Sequence, residues 1–400
     1  MSIISRKINS LEESATLAMS KKSRELKAQG VDVINLSIGE PDFNTPEFIK
    51  TAAIEAIESN YTHYTPVAGY QELREAISLK LKRDNGVDYP ANQIVVSTGA
   101  KQSISNVFTC ILNPGEEVII PAPYWVSYAD IVKLAEGKPV YIQTKISNDF
   151  KVTAQEIEKS ITSKTKAIIF SSPCNPTGTV YTKDELKTLA NVLQKYPQII
   201  IISDEIYEHI NFDSVHESIS QFKEVKEQVV IINGASKGFA MTGWRLGFMA
   251  ASLEISNACV KLQGQTTSGT NSIAQRAAIK AFQTNPKENK EIQDMVKAFL
   301  KRRDLFISLL SDIPGFDINT PHGAFYLFPN IESFFGKSDG EIVIKSATDL
   351  VLYLLDKANV ALVTGEAFGD STCVRFSYAT SEETLKNAAS RIKKACSLLK

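Results

Sequence analysis

The sequence predicts an α/β protein: a large unit built on a mostly parallel sheet sandwiched by helices, joined to a smaller α+β unit. Three observations predict it. Six short apolar runs, five of them rich in Ile or Val, recur between residues 94 and 252, amphipathic stretches separate them, and the pattern changes after about residue 285. Apolar runs bounded by turns and spaced by helices are what a parallel sheet covered on both faces requires.

The elements follow in order. Leu11 to Ala28 has helical spacing with Lys and Arg outermost and ends at Gly30, a C-cap signal. VINLSIGEPDF gives a short strand running into a polar turn, and Thr45-Pro46 opens a helix with proline at its first position. The strand candidates are IVVSTG (94–99), EVIIPAP (117–123), AIIFSSP (167–173), IIIISD (199–204), VVIING (229–234) and LGFMAAS (246–252). Between them lie amphipathic helices such as Lys101–Leu112 and Lys183–Gln194. Beyond residue 285 a charged helix (Asn289–Leu310) leads to the alternating segment FDINTPHGAFYLFPN and a helix near 346–357. NVALVTG and TCVRFSYAT read as strands, and a terminal helix runs to Lys400. The expected partition is an N-terminal segment 1–45 belonging to the small unit, a large unit 46–285, and a small C-terminal unit 286–400.

Composition narrows the function. The chain has 400 residues, more than one core usually serves. Its 44 Lys+Arg against 45 Asp+Glu leave a net charge of −1, which disfavours nucleic acid as a partner. Five scattered cysteines without paired spacing predict reduced thiols and a cytoplasmic setting. The opening MSIISRKINSLEES is interrupted by charge, and no uncharged run is long enough for a bilayer, so neither a secretory leader nor a membrane partner is expected.

Almost every strand candidate ends in small or polar residues, and ligands of open α/β sheets bind beyond those carboxyl ends. Lys237 follows VVIING among Gly, Ala and Ser, a setting that lowers a lysine pKa and suits imine formation with an aldehyde; alone it could be a solvated loop lysine. Arg245, eight positions on, can fork onto a phosphate. Asp204 closes a run of four isoleucines, where a carboxylate needs a cationic or hydrogen-bonding partner, a heterocyclic N–H⁺ or a helix N-terminus that it caps. Asn175, held between prolines in SSPCNPTG, can donate to a phenolate oxygen or simply make a turn. Ser97-Thr-Gly-Ala-Lys101 joins a strand to a helix, where free N–H groups form an anion site. Trp125 in PAPYWVSY can stack on a flat ring or fill core. Arg375 in TCVRFSYAT calls for an anion, in an ion pair or on a substrate carboxylate. Together these groups are what pyridoxal phosphate needs: a lysine for its aldehyde, an acid for its ring nitrogen, donors for O3′, a ring stacker and a phosphate cradle.

At this point the chain resembles fold-type I pyridoxal-phosphate aminotransferases of class I, within the bacterial aspartate aminotransferase subgroup. The resemblance runs from SATLAM through GEPDFNTP, YTPVAGYQELR, STGAKQ, PYWVSY, NPTG, SDEIYE, GASKGFAMTGWR and GAFY to VRFSYAT. It implies that Lys237 carries the cofactor and then shuttles the proton. Asp204 would pair with the pyridinium, Tyr207 and Asn175 would contact O3′, and Trp125 would stack on the ring. Gly99, Ala100, Ser236 and Arg245 would hold the phosphate, and Tyr64 would reach the phosphate of the neighbouring subunit in a homodimer with shared sites. Arg375, Gly39 and Asn175 would receive the α-carboxylate. Ser14, Thr16 and Lys101 would meet a distal carboxylate; a lysine in a first helical turn, where the dipole disfavours a cation, agrees with that.

The resemblance thus implies amino transfer from aspartate to 2-oxoglutarate by a ping-pong course, with amino acids and 2-oxo acids as the small-molecule partners. Other readings are a pyridoxal-phosphate aminotransferase for prephenate, aromatic amino acids or alanine, and a non-catalytic amino-acid sensor. Many prephenate-accepting relatives carry lysine where this chain has Glu12, which counts against that substrate without closing it off. Sensors usually add a DNA-binding domain, and nothing basic or helix-turn-helix-like precedes residue 40. A nicotinamide dehydrogenase is disfavoured because no G-x-G-x-x-G follows an early strand. No metal is expected.

Overall fold

The computed structural model describes residues 3–9, 11, 13–212 and 215–400, Arg6 by its backbone alone; Glu12 lies outside the described residues. A seven-stranded sheet occupies the centre, in the order Ile94–Ser97, Gly247–Ala250, Val229–Gly234, Ile200–Asp204, Thr165–Ser171, Glu117–Ala122 and Lys138–Gln143. All pairings are parallel except the two made by Gly247–Ala250. That strand follows Val229–Gly234 through a loop holding only a short turn at Thr242–Trp244, and without a crossover helix the chain returns antiparallel.

Strand alternation explains the helical layers. Ile119, Ile168, Ile201, Ile231 and Phe248 face one way and meet Leu73, Ile77, Leu189 and Phe282. Their neighbours Val118, Ile169, Ile202, Ile232 and Met249 face the other way and meet Ile104, Phe108, Val132 and Cys259. With both faces buried, the strands read as unbroken apolar runs. Each such side chain contributes about 1.5–3 kcal/mol on burial.

A second core gathers Ile34, Met295, Phe299, Phe306, Tyr326, Leu354, Phe376 and Ile392. Here Ile34–Asn35 pairs in parallel with Val360–Ala361, and Val374–Ser377 lies between Val363–Thr364 and Tyr326–Leu327 in a small antiparallel sheet. The N-terminal strand therefore shares its core with the last third of the chain.

Three elements differ from the sequence reading. The first long helix starts at Ala15 rather than Leu11, with Ser14 as its N-cap residue. Lys138–Gln143 is an additional strand, at the sheet edge with half of its residues exposed, so it lacks the apolar run that marks the others. The alternating segment 316–330 contributes only Tyr326–Leu327 as strand. No described helix is long and apolar enough to cross a membrane.

Candidate active site

The parallel strand ends converge. Asp204, the last residue of its strand, pairs in register with Ser171 on one side and Ile232 on the other. Asn175, Lys237 and Trp125 therefore follow neighbouring or nearby strand ends. A cavity of ≈ 270 Å³ lies above them. Its wall includes Ser14, Thr16, Gly39, Ala100, Lys101, Trp125, Asn175, Asp204, Tyr207, Ser236, Lys237, Arg245 and Arg375. Residues from distant parts of the chain thus meet at one cavity. Gly99 sits immediately behind this wall. Tyr64 does not line it; its side chain is 98% exposed on the single chain.

Asp204 is 4% exposed. Its Oδ2 accepts a hydrogen bond from Tyr128 Oη at 2.6 Å and its Oδ1 one from the Ile206 N–H at 3.3 Å. Burial pushes its pKa up to about 6, opposed by these donors. Among the described residues no cationic side chain pairs with it. A buried carboxylate at a cavity floor with no counter-ion is suited to a cationic ring N–H.

Across the cavity, Lys237 Nζ donates to the Gly39 carbonyl at 2.5 Å. Burial lowers its pKa to about 8; Glu40 opposes the shift, and Arg375 and Arg245 add to it. A lysine so poised is partly neutral near physiological pH, as a nucleophile for an aldehyde must be.

The anion cradle forms where Ile94–Ser97 passes into the helix Ala100–Ile111. Gly99, at the helix N-cap, has φ +85° and ψ 157°, a conformation essentially limited to glycine. Any side chain there would run into the Arg245 guanidinium. The missing Cβ lets an arginine stand over a helix N-terminus whose first N–H groups are free, and Ser236 completes the rim.

Arg375, 2% exposed, donates from Nη1 to Asn175 Oδ1 at 3.0 Å and from Nη2 to the Ser37 carbonyl at 2.6 Å. Its Nε has no partner among the described residues. An arginine with spare donors in a closed pocket is built for a carboxylate. Beside it, Asn175 offers its amide N–H groups to the cavity.

At the mouth, Lys101 Nζ lies 4.9 Å from the centre of the Trp125 ring, and desolvation together with Arg245 lowers its pKa. Thr16 Oγ1 is buried without a partner among the described residues.

Two tyrosines of the wall escaped the sequence reading. Tyr128 holds Asp204, and Tyr326 places its hydroxyl 2.7 Å from that of Tyr207. Both stand inside motifs quoted above, PYWVSY and GAFY. The available signal for Tyr128 was its spacing, one helical turn beyond Trp125.

A second cluster of titratable groups, Glu205, Glu208 and His216, brings three potential ligand atoms within 4.8 Å of one another. Its charges are already matched. Lys80 pairs with Glu208, which also accepts from Asn85 and Asn233, while His216 lies 3.0 Å from Glu205.

The pyridoxal phosphate that the sequence suggested fits these residues. The unpaired carboxylate suits its ring nitrogen, the lysine its aldehyde, and the glycine-backed helix end its phosphate. Known proteins agree. A family model described as "Aminotransferase class I and II" matches residues 31–392. The chain is 46% identical over 399 residues to the "Bifunctional aspartate aminotransferase and glutamate/aspartate-prephenate aminotransferase" of Petunia hybrida, covering 99% of this chain and 83% of that one. It is 47% identical to a "Probable aspartate/prephenate aminotransferase" of Rickettsia felis, covering 99% and 97%. Among solved structures, the aspartate aminotransferase of Rhizobium meliloti superposes with a TM-score of 0.96 at 40% identity, each chain fully covered. That of Thermus thermophilus with maleate gives 0.93 at 37%, covering 99% and 100%. With its fold, its cavity and this likeness over the whole length, the chain belongs to the class I and II aminotransferases, enzymes that work with pyridoxal phosphate.

Proposed function

We propose that the protein transfers the amino group of aspartate to 2-oxoglutarate, forming oxaloacetate and glutamate in two half-reactions. One observation carries the reading. Lys237 and Asp204 face a single cavity from neighbouring strand ends, and Arg375, whose Nε has no partner among the described residues, lines the same cavity. The names of the relatives supply the dicarboxylic substrate class, and Lys101 at the mouth matches it in charge.

Bound pyridoxal phosphate would supply a ring able to take up the electrons of the broken Cα–H bond. The protein does the rest. Asp204 keeps the ring nitrogen protonated, since a buried carboxylate raises the pKa of a cation it faces. Tyr207 and Asn175 donate to O3′, and Trp125 covers the ring. Gly99, Ala100, Ser236 and Arg245 hold the phosphate. Arg375, with Asn175 and the Gly39 backbone, would bind and orient the α-carboxylate. Lys237 would hold the cofactor's aldehyde, and its neutral amine would be the group that takes up and returns a proton at Nζ. Ser14, Thr16 and Lys101 receive the distal carboxylate.

The same reading makes the protein a cytoplasmic homodimer, with Tyr64 reaching the partner's phosphate and the chain divided at about residues 45 and 285. Free thiols at all five cysteines support a reducing setting, and the exposed Tyr64 supports the dimer. A second substrate, prephenate, draws support from the names of the Petunia and Rickettsia relatives.

Half-reaction rates with aspartate, glutamate, alanine, phenylalanine and prephenate test the proposal. The expected order puts the two acidic amino acids first. Rates for alanine or phenylalanine equal to that for aspartate would overturn the assignment.

A further inference from the structure

Strand register brings a second tyrosine to the site. Tyr326 pairs with Ser377 across the small antiparallel sheet, and Arg375, two residues before Ser377, lies on the same face. Long side chains reach such diagonal neighbours. The Arg375 guanidinium carbon lies 4.6 Å from the centre of the Tyr326 ring. The ring is held on another side by Gly39, where a Cβ would come within 2.6 Å of Tyr326 Oη. Its hydroxyl is 2.7 Å from that of Tyr207, with both side chains buried.

A phenol has one proton. Among the described residues, Tyr207 is the hydrogen-bond partner of the Tyr326 hydroxyl. When Tyr207 turns its own proton to O3′, the proton between the two hydroxyls must come from Tyr326.

We propose that Tyr326 is a positioning residue: it donates to Tyr207, and so aims and strengthens the hydrogen bond from Tyr207 to the cofactor's phenolate oxygen. The inference rests on the proposed function of the site. Its physical basis is cooperative polarisation along a hydroxyl chain shut off from water. Arg375 and Gly39 hold the ring in place, so the carboxylate-binding wall and the cofactor-binding wall share one side chain.

The test uses holoenzyme. Tyr326→Phe keeps the ring against Arg375 and removes only the hydroxyl. The reading is a pH titration of the visible band that depends on Lys237. Hydrogen bonding to O3′ favours the deprotonated chromophore, so Tyr326→Phe raises its apparent pKa by about 0.5, less than Tyr207→Phe does. The double variant moves no further than Tyr207→Phe alone, because one residue acts through the other. A titration unmoved by Tyr326→Phe, or two additive effects, overturns the inference. A band that survives Lys237→Ala overturns the reading of the site itself and takes the inference with it.

Discussion

Replacing Asp204 by asparagine should make the ligand-free protein more stable and nearly unable to hold its cofactor. The carboxylate sits at the end of a buried strand with Tyr128 and the Ile206 N–H as donors, and among the described residues no cationic side chain forms an ion pair with it. Its pKa rises from 3.8 to about 6, chiefly through burial. A displacement of that size corresponds to about 3 kcal/mol. The sign follows from linkage. The unfolded chain ionises the group from about pH 4 upward while the folded chain resists until about pH 6, so stability falls as pH rises through this window. Below it the group is protonated in both states and the penalty disappears. Asp204→Asn removes the charge but weakens the bonds from Tyr128 and Ile206, leaving a net gain of about 1–2 kcal/mol at pH 7. Cofactor affinity should fall by about 100-fold or more, as when one partner of a buried ion pair is lost. Thermal midpoints of both ligand-free proteins between pH 4 and 8, with a cofactor titration at pH 7.5, read both effects. The stability difference should grow with pH. A variant less stable than the parent at pH 7, or one that binds cofactor as well, would refute the reasoning.

Three other outcomes follow from the same geometry. Lys101→Ala should lower kcat/KM for aspartate and glutamate by about 10- to 100-fold and for alanine by no more than about threefold; equal losses would reject the distal-carboxylate assignment. Gly99→Ala forces a side chain into a glycine-only conformation and against Arg245, so affinity should drop more for pyridoxal phosphate than for pyridoxal in equilibrium titrations. Lys80→Met leaves Glu208 buried without its ammonium partner, with only neutral donors such as Asn85 and Asn233, and should cost about 3 kcal/mol in unfolding measurements, with Lys80→Met combined with Glu208→Gln losing less.

How much was legible in the sequence depends on where each signal resides. Six of the seven strands were readable because both faces are buried, which turns them into runs such as the four isoleucines before Ser203. Lys138–Gln143 was not, since Ile142 is its one strongly buried residue and half of the strand is exposed. Lys237, Asp204, Asn175 and Gly99 were readable because a strand end locates its own chemistry. Tyr128 and Tyr326 act on residues 76 and 119 positions away, so their roles arise from tertiary register and not from local pattern. The pairing of Ile34 with Val360 likewise joins distant segments that no short window connects. Lys80 is the sharpest case. It lies in the amphipathic helix Gln71–Lys80, where a lysine reads as solvated, yet it is fully buried because Glu208 and Asn85 wait inside.

The most direct check on the account is a chemical trap. Protein loaded with pyridoxal phosphate is reduced with borohydride, digested and mapped by mass spectrometry. One cofactor-bearing peptide, modified at Lys237, is expected, with loss of both the modification and the visible band in Lys237→Ala. A cofactor found mainly on another lysine, with the band intact in that variant, would contradict it.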